Sequence, residues 1–288
     1  MIAVTADLPA AAHVRRGEAI TAALLFAPCV AFLVALFILP VIYVLALSVT
    51  DPAPSLQHFV RIFTVPIYLK ILWNTFFTSL LVTLACLALG YPLAYVIARR
   101  NDALALVLLG IVAMSFWTSF LVRTYAWLVI LGNRGPVVAF YEAVGLGTPP
   151  QLLFTSFSSA LGMTHILLPY MVLALYSVMS KVDPNHLRAA ASLGARPFAA
   201  FRLVYLPLSL PGVVNGSILV FTICLGFYVT PILLGTPRDM MISQLINQQI
   251  EELLNWGFAA ALATVLLIAT VIVLSIYNRF VGLDRLWG

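Results

Sequence analysis

The chain has 288 residues, of which 63% are hydrophobic and only 9% charged. A soluble domain carries roughly 25% charged and 45–50% apolar residues, so a chain this apolar cannot wrap one core in a polar shell, and the bilayer is its natural solvent. The net charge of +5 is scattered in short segments between apolar runs, which excludes a nucleic-acid-binding patch.

Residues 1–18 are polar or small and end on Arg15, Arg16 and Glu18. The apolar run after them is too long for the core of a cleaved leader, about 7–15 residues, and predicts a first span over 20–48. A second span is expected over 71–98, followed by the short loop Arg99-Arg100-Asn101-Asp102. The third is expected over 103–132 and ends on Gly132-Asn133-Arg134-Gly135-Pro136. A looser stretch holding Gly145, Gly147, Pro149 and Pro150 leads to a fourth span over 157–180. The fifth is expected over 208–233, a polar segment over 235–256, and the sixth span over 257–280. About 20 apolar residues cross about 30 Å of hydrocarbon at 1.5 Å each, and backbone in lipid must bond internally, so the six spans are read as helices. The organisation expected is an N-terminal tail 1–18, one all-α membrane domain 19–280 and a C-terminal tail 281–288, without internal repeats or linkers.

Positive residues set the orientation. With both termini in the cytoplasm, the inner segments hold Arg15, Arg16, Arg99, Arg100, Lys181, Arg188, Arg196, Arg202, Arg279 and Arg285, and the outer ones only Arg61, Lys70, Arg134 and Arg238. That bias favours termini inside. The acids Asp51, Glu142, Asp239, Glu251 and Glu252 fall outside.

The segment between the fourth and fifth spans reads as a capped helix. Asp183 suits an N-cap with Pro184 at the first helical position, and Gly194 suits the C-terminal end. Leu187, Ala190, Ala191 and Gly194 recur at three- and four-residue spacing and share a small apolar face. Phe198, Phe201 and Tyr205 form a second amphipathic stretch beside Arg196 and Arg202. Leu206-Pro207 and Pro211-Gly212 then make a joint into the fifth span. Such an element reads either as a surface on which another protein can approach the backbone closely or as an ordinary surface loop helix.

Ala189-Ala190, Gly194, Leu206-Pro207 and Pro211-Gly212 resemble the cytoplasmic EAA signature of type I ABC importer permeases. Arg188 departs from that pattern, since the family usually has Glu there, and Ser192 stands where Asp is frequent. The resemblance extends to the spermidine/putrescine-type subgroup through Trp73-Asn74-Thr75, Gly90-Tyr91-Pro92, Phe116-Trp117-Thr118-Ser119-Phe120-Leu121-Val122-Arg123-Thr124-Tyr125-Ala126-Trp127, Leu168-Pro169-Tyr170, Tyr228-Val229-Thr230-Pro231 and Asn255-Trp256. It implies a six-helix permease bundle whose coupling helix, about 184–194, docks on an ATP-hydrolysing subunit through Leu187, Arg188, Ala189, Ala190, Ala191, Ser192, Leu193, Gly194 and Ala195. It also implies two ATP-binding subunits, a second and different permease subunit, an extracytoplasmic solute-binding protein docking on loops such as 50–70 and 235–256, and location in the inner membrane. The implied cargo is a small nitrogen-containing solute, a polyamine above all.

Within the spans, Arg123 is the one deep charge, and charge there is costly, at least about 2.5–3.5 kcal/mol. It reads either as a pathway or gating residue or as a structural arginine bonded to carbonyls. Trp117, Ser119, Tyr125, Trp127, Phe227, Tyr228 and Thr230 are the other candidates for a translocation path, because aromatic faces attract ammonium groups; the same aromatics also suit lipid contact. His165 reads as a hydrogen-bonded bundle residue, and Gly212 and Gly216 as a close-packing pair. Cys29, Cys86 and Cys224 have no metal or redox spacing, and no metal or cofactor is expected. A GxxxxGK[ST] loop, HExxH and GxSxG are absent, so the chain is not expected to be an enzyme and its energy must come from a partner. The alternative is an ion- or proton-coupled carrier. Such carriers place ionisable groups or broken helices at mid-membrane, and no carboxylate lies within the six spans.

Overall fold

The structure is a computed structural model, and it describes residues 25–100, 102–145 and 150–281. The tail expected over 1–18, the first residues of the first span, and all but Val281 of the tail expected over 281–288 lie outside the described residues.

In chain order the helices are α1 (Leu25–Thr50), α2 (Gln57–Thr64), α3 (Pro66–Arg99), α4 (Ala103–Met114), α5 (Phe120–Leu131) and α6 (Pro136–Ala143). They continue as α7 (Ser156–Met179), α8 (Pro184–Ser192), α9 (Pro197–Leu225), α10 (Val229–Leu234), α11 (Ile242–Glu251) and α12 (Trp256–Val281). Among the described residues five helices are long and apolar enough to cross a membrane: α1, α3, α7, α9 and α12. The expected third span is not one helix. It divides into α4 and α5, each of 12 residues, or about 18 Å, so only the pair end to end reaches across. The break falls at Ser115–Ser119, where tight turns replace the helical ladder and Ser119 is extended at ψ 135°. Ser and Thr compete for backbone hydrogen bonds and are poor helix formers, which explains a break with neither Gly nor Pro in it.

The expected fifth span is also redrawn. Pro207 and Pro211 do not make a joint, because α9 runs unbroken from Pro197. A π-type turn at Phe201–Tyr205 precedes Pro207, and another at Val34–Ile38 precedes Pro40. A wider turn accommodates the carbonyl that the proline ring cannot bond. The helix ends instead at Leu225, and α10 resumes after Gly226–Tyr228.

The core lies between α3, α7 and α9. Val82, Cys86, Met163, Leu167, Met171, Leu175, Tyr205, Val220 and Cys224 form its buried centre. Close approach of α9 to α7 depends on Gly212 and Gly216: a Cβ on Gly216 would lie 2.7 Å from Met171 Sδ, and one on Gly212 3.1 Å from Val178 Cβ. Small residues at four-residue spacing permit such contact between membrane helices.

The bundle has two ends. At the upper end the Gly257 N–H donates to Asp51 Oδ2 (2.9 Å), and His58 Nε2 lies 2.9 Å from the Asp51 carbonyl. The Arg61 guanidinium stacks 4.5 Å from the Phe258 ring centroid, so the chain leaving α1 is tied to the start of α12. The segment over 235–256, expected as a polar loop, partly re-enters the bundle: Met241, Ile242, Gln244 and Leu245 are buried. The buried Ile242 N–H donates to Thr75 Oγ1 (2.8 Å) and the Ser243 hydroxyl to the Phe227 carbonyl (2.6 Å). At the lower end Arg100 bonds Asp102 across 2.9 Å and holds its carboxyl below the usual carboxylate range. Both groups are exposed, and such pairs add little stability.

Candidate functional site

A cavity of about 410 Å3 opens where the two helix breaks meet. Phe116, Thr118, Ser119 and Arg123 line it from the α4–α5 break, and Gly226, Phe227 and Tyr228 from the α9–α10 break. Ile166, Leu167 and Tyr170 supply the α7 wall. Ile166 is the eleventh residue of α7, about 15 Å from its upper end, so the cavity sits about halfway through the bundle. The Phe116 ring packs edge-on to Tyr170 at 4.9 Å and holds the first break against α7. Irregular backbone at this depth is tolerated only where protein encloses it or a wet cavity borders it.

Arg123 occupies the first turn of α5. Its Nε and Nη1 are enclosed and have no hydrogen-bond partner among the described residues. The reading as a structural arginine bonded to carbonyls therefore finds no support at those two atoms. The wall is otherwise aromatic, hydroxylic and aliphatic, with no carboxylate.

Of the residues singled out in the sequence, Ser119, Arg123, Phe227 and Tyr228 come together on this wall. Thr230 is fully buried, 3.1 Å from the Thr124 hydroxyl, and ties α10 to α5 rather than facing the cavity. Gly162 makes room for that contact, since a Cβ there would lie 2.9 Å from Thr230 Cγ2. The Trp127 Nε1–H donates to His165 Nδ1 (3.1 Å), so this ring also packs above the cavity rather than on its wall. Trp117 and Tyr125 are 84% and 55% exposed and turn away from it. Phe116, Thr118, Tyr170 and Gly226 were not singled out as path residues. A run of Ser and Thr beside an arginine was the available signal for the first break, and Gly226 for the second.

The second candidate site is α8. Asp183 accepts the Asn185 N–H at 2.8 Å as N-cap. Gly194 has φ +85°, and the Ala195 N–H returns to the Ala190 carbonyl at 3.0 Å, closing the C-terminal end. The outward face differs from the small apolar face read from spacing. Leu187 turns in against the core cluster and Ala190 is half-buried, while Arg188, Ala189, Ala191, Ser192 and Gly194 are exposed. Leu193, 90% exposed, projects furthest; Ala195 is half-buried behind it.

Residues 17–282 match the family model described as binding-protein-dependent transport system inner membrane component. The chain is 30% identical over 271 residues to the spermidine/putrescine transport system permease protein PotB of Haemophilus influenzae, covering 91% of this chain and 93% of that protein. It is 33% identical over 226 residues to PotB of Escherichia coli K12, covering 78% of this chain and 82% of that one. A bacterial alginate ABC transporter in complex with an alginate-bound periplasmic protein has a similar fold, with a TM-score of 0.74 at 17% identity over 93% of this chain and 95% of that one. The MetNI methionine transporter in inward-facing form gives a TM-score of 0.57 at 16% identity, over 76% and 96% of the two chains. A membrane bundle of apolar spans, matched over nearly its whole length by one family, makes this chain a multi-pass inner-membrane permease component of a binding-protein-dependent ABC transport system.

Proposed function

We propose that the chain is one permease subunit of an ATP-driven importer for a small amine-bearing solute of the spermidine or putrescine kind. The upper end faces outward and the lower end, with both termini, the cytoplasm; the positive residues favour this orientation. Two ATP-binding subunits and a second, different permease subunit complete the membrane assembly. A solute-binding protein docks at the upper end, over 50–70 and 235–256.

The observation that carries the reading is the cavity at half depth, bordered by two helix breaks, in a chain of this family. A solute released at the upper end is passed through it when ATP-driven closure of the partner subunits moves α8. Arg188, Ala189, Ala191, Ser192, Leu193 and Gly194 are the contact surface for that closure, with Leu187, Ala190 and Ala195 behind it. The tails expected over 1–18 and 281–288 belong to the cytoplasmic side of the membrane domain, with Val281 itself still in α12.

The broken helices are shared with secondary carriers, so the carrier alternative needs its own test. The chain is reconstituted into proteoliposomes with its partner subunits and binding protein, and uptake of labelled spermidine and putrescine is followed with ATP, without ATP and without the ATP-binding subunits. Uptake confined to the complete, ATP-supplied assembly is expected. Uptake that persists without those subunits establishes a carrier, and a binding protein that ignores amines removes the substrate class.

A further inference from the structure

The rim of the upper end holds a second cavity of about 560 Å3, which shares no lining residue with the one at half depth. It is a groove between the upper parts of α3 and α7, and the turn Pro237–Asp239 closes its top. Three aromatic rings line it and stay open to it: Trp73 is 70% exposed, Phe77 56% and Phe157 59%. Between them stands Asp239, whose Oδ2 accepts the hydroxyls of Ser156 and Thr236. Thr236 Oγ1 in turn accepts the Arg238 N–H at 3.1 Å, and Asn74 donates to the Arg238 carbonyl at 3.1 Å, so the turn is fixed to α3 and α7. Asp239 Oδ1 receives no donor among the described residues, and no basic side chain lies within ion-pair distance of this carboxylate. Lys70 and Arg238 line a separate groove on the other side of Asn74.

An oriented carboxylate with one free oxygen, set among open aromatic faces, has the chemistry of ammonium recognition. Each ring attracts a cation within about 6 Å of its centroid by about 0.5–2 kcal/mol, and the free oxygen accepts a charge-assisted hydrogen bond. Below the carboxylate the groove follows α3 from Trp73 to Leu81, about 12 Å, and its floor there is Leu81 and Ala160. That lower part suits methylene groups. An anion is repelled by Asp239, and a neutral solute leaves its free oxygen unused. The half-depth cavity has the opposite character, since its one charged lining residue is Arg123.

The geometry points to this groove as a site on the permease that receives an alkylammonium solute before the solute passes to the half-depth cavity. The inference rests on the amine-importer reading and adds the place where the amine is recognised. In that place the aromatic rings and Asp239 take the ammonium, and Arg123 prevents it from lodging deeper.

The test uses the assembled importer in lipid nanodiscs without the binding protein, and labelled 1,4-diaminobutane as probe. Saturable binding is expected, displaced by 1-aminobutane but not by 1-butanol. Asp239→Asn, which keeps an oxygen for the two hydroxyls, and Trp73→Ala should each weaken it by at least about tenfold; Asp239→Glu should retain most of it. Unchanged binding by Asp239→Asn, or no saturable binding by the wild-type assembly, overturns the inference. So does loss of the second permease subunit from the Asp239→Asn assembly during size exclusion, which makes the groove a subunit contact. ATP-driven uptake of the same diamine by wild-type proteoliposomes, measured in parallel, separates the two possible failures. Uptake without an effect at Asp239 removes the groove alone, whereas absent uptake removes the amine reading itself.

Discussion

Replacing Gly194 isolates the proposed coupling role of α8 from the stability of the bundle. Nothing lies within 4 Å of where its Cβ would stand, so substitution disturbs no packing. Its φ of +85° is the obstacle, because an L side chain in the left-handed region costs about 1–2 kcal/mol. The bonds at stake are the Gly194 N–H to the Ala191 carbonyl (2.9 Å) and the Ala195 N–H to the Ala190 carbonyl (3.0 Å). A cost of one or two kcal/mol shifts the ratio of closed to frayed helix ends by about 5–30-fold. Asn tolerates this conformation best after Gly, so Gly194→Asn should stay near wild type in ATP-driven uptake. Gly194→Ala should lose several-fold and Gly194→Val nearly everything. Gly194→Asp shares the backbone tolerance of Asn, so the excess loss it shows measures a carboxylate placed on the docking face. Yield, membrane insertion and Tm should not move in any of them. Uptake and binding-protein-stimulated ATPase are measured in the same proteoliposomes. Wild-type coupling in Gly194→Val refutes the docking role, and a fall in Tm across the series shows that Gly194 serves the bundle instead.

Arg123→Met should keep or raise the Tm of the purified assembly while uptake falls, because exchanging a half-buried guanidinium with two unpartnered nitrogens for an apolar side chain removes a desolvation cost; a Tm lowered by several degrees identifies a structural arginine. Thr75→Val leaves the buried Ile242 N–H without its acceptor, at about 1–3 kcal/mol, and should free the segment over 240–245 to proteolysis without affecting α8. Gly257→Ala puts a Cβ 2.6 Å from the Asp51 carbonyl oxygen. Since backbone cannot yield as a side chain does, the tie between α1 and α12 should weaken by about 1–3 kcal/mol, read as faster hydrogen exchange over 51–60.

The legible parts were those fixed locally. Asp183, Pro184 and Gly194 announce both ends of α8 because cap chemistry depends on a few consecutive residues. The spans announce themselves by apolar length alone. The breaks are harder to read for the same reason: Phe116, Trp117, Phe227 and Tyr228 continue the apolar run, and only Ser115, Thr118, Ser119 and Gly226 mark where a span is broken. The outward face of α8 depends on which side the core takes. Leu187 satisfies an apolar face in either direction, and only packing against the bundle leaves Leu193 outside. Asp239 was assigned to an outer loop by its polarity. Its place among Trp73, Phe77 and Phe157 arises from contacts such as that with Ser156, 83 positions away, for which no periodicity in the sequence stands.

The two cavities together give the proposed amine importer a way to handle a cation without a deep carboxylate. A solute on a transport path must bind well enough to enter and weakly enough to leave. A carboxylate at half depth would hold an ammonium in a low-dielectric wall, where a single pairing is costly to break. Here the negative charge is kept at the rim, where solvent weakens it, and the half-depth wall has an arginine beside the N-terminal end of α5, whose free N–H groups add to the positive field. What remains to attract the solute at half depth is aromatic and hydroxylic, from Phe116, Phe227, Tyr170 and Tyr228. Those groups solvate an ammonium transiently without neutralising it. In the proposed importer, directional movement then follows from the ATP-driven change of shape of its partner subunits rather than from a ladder of binding sites.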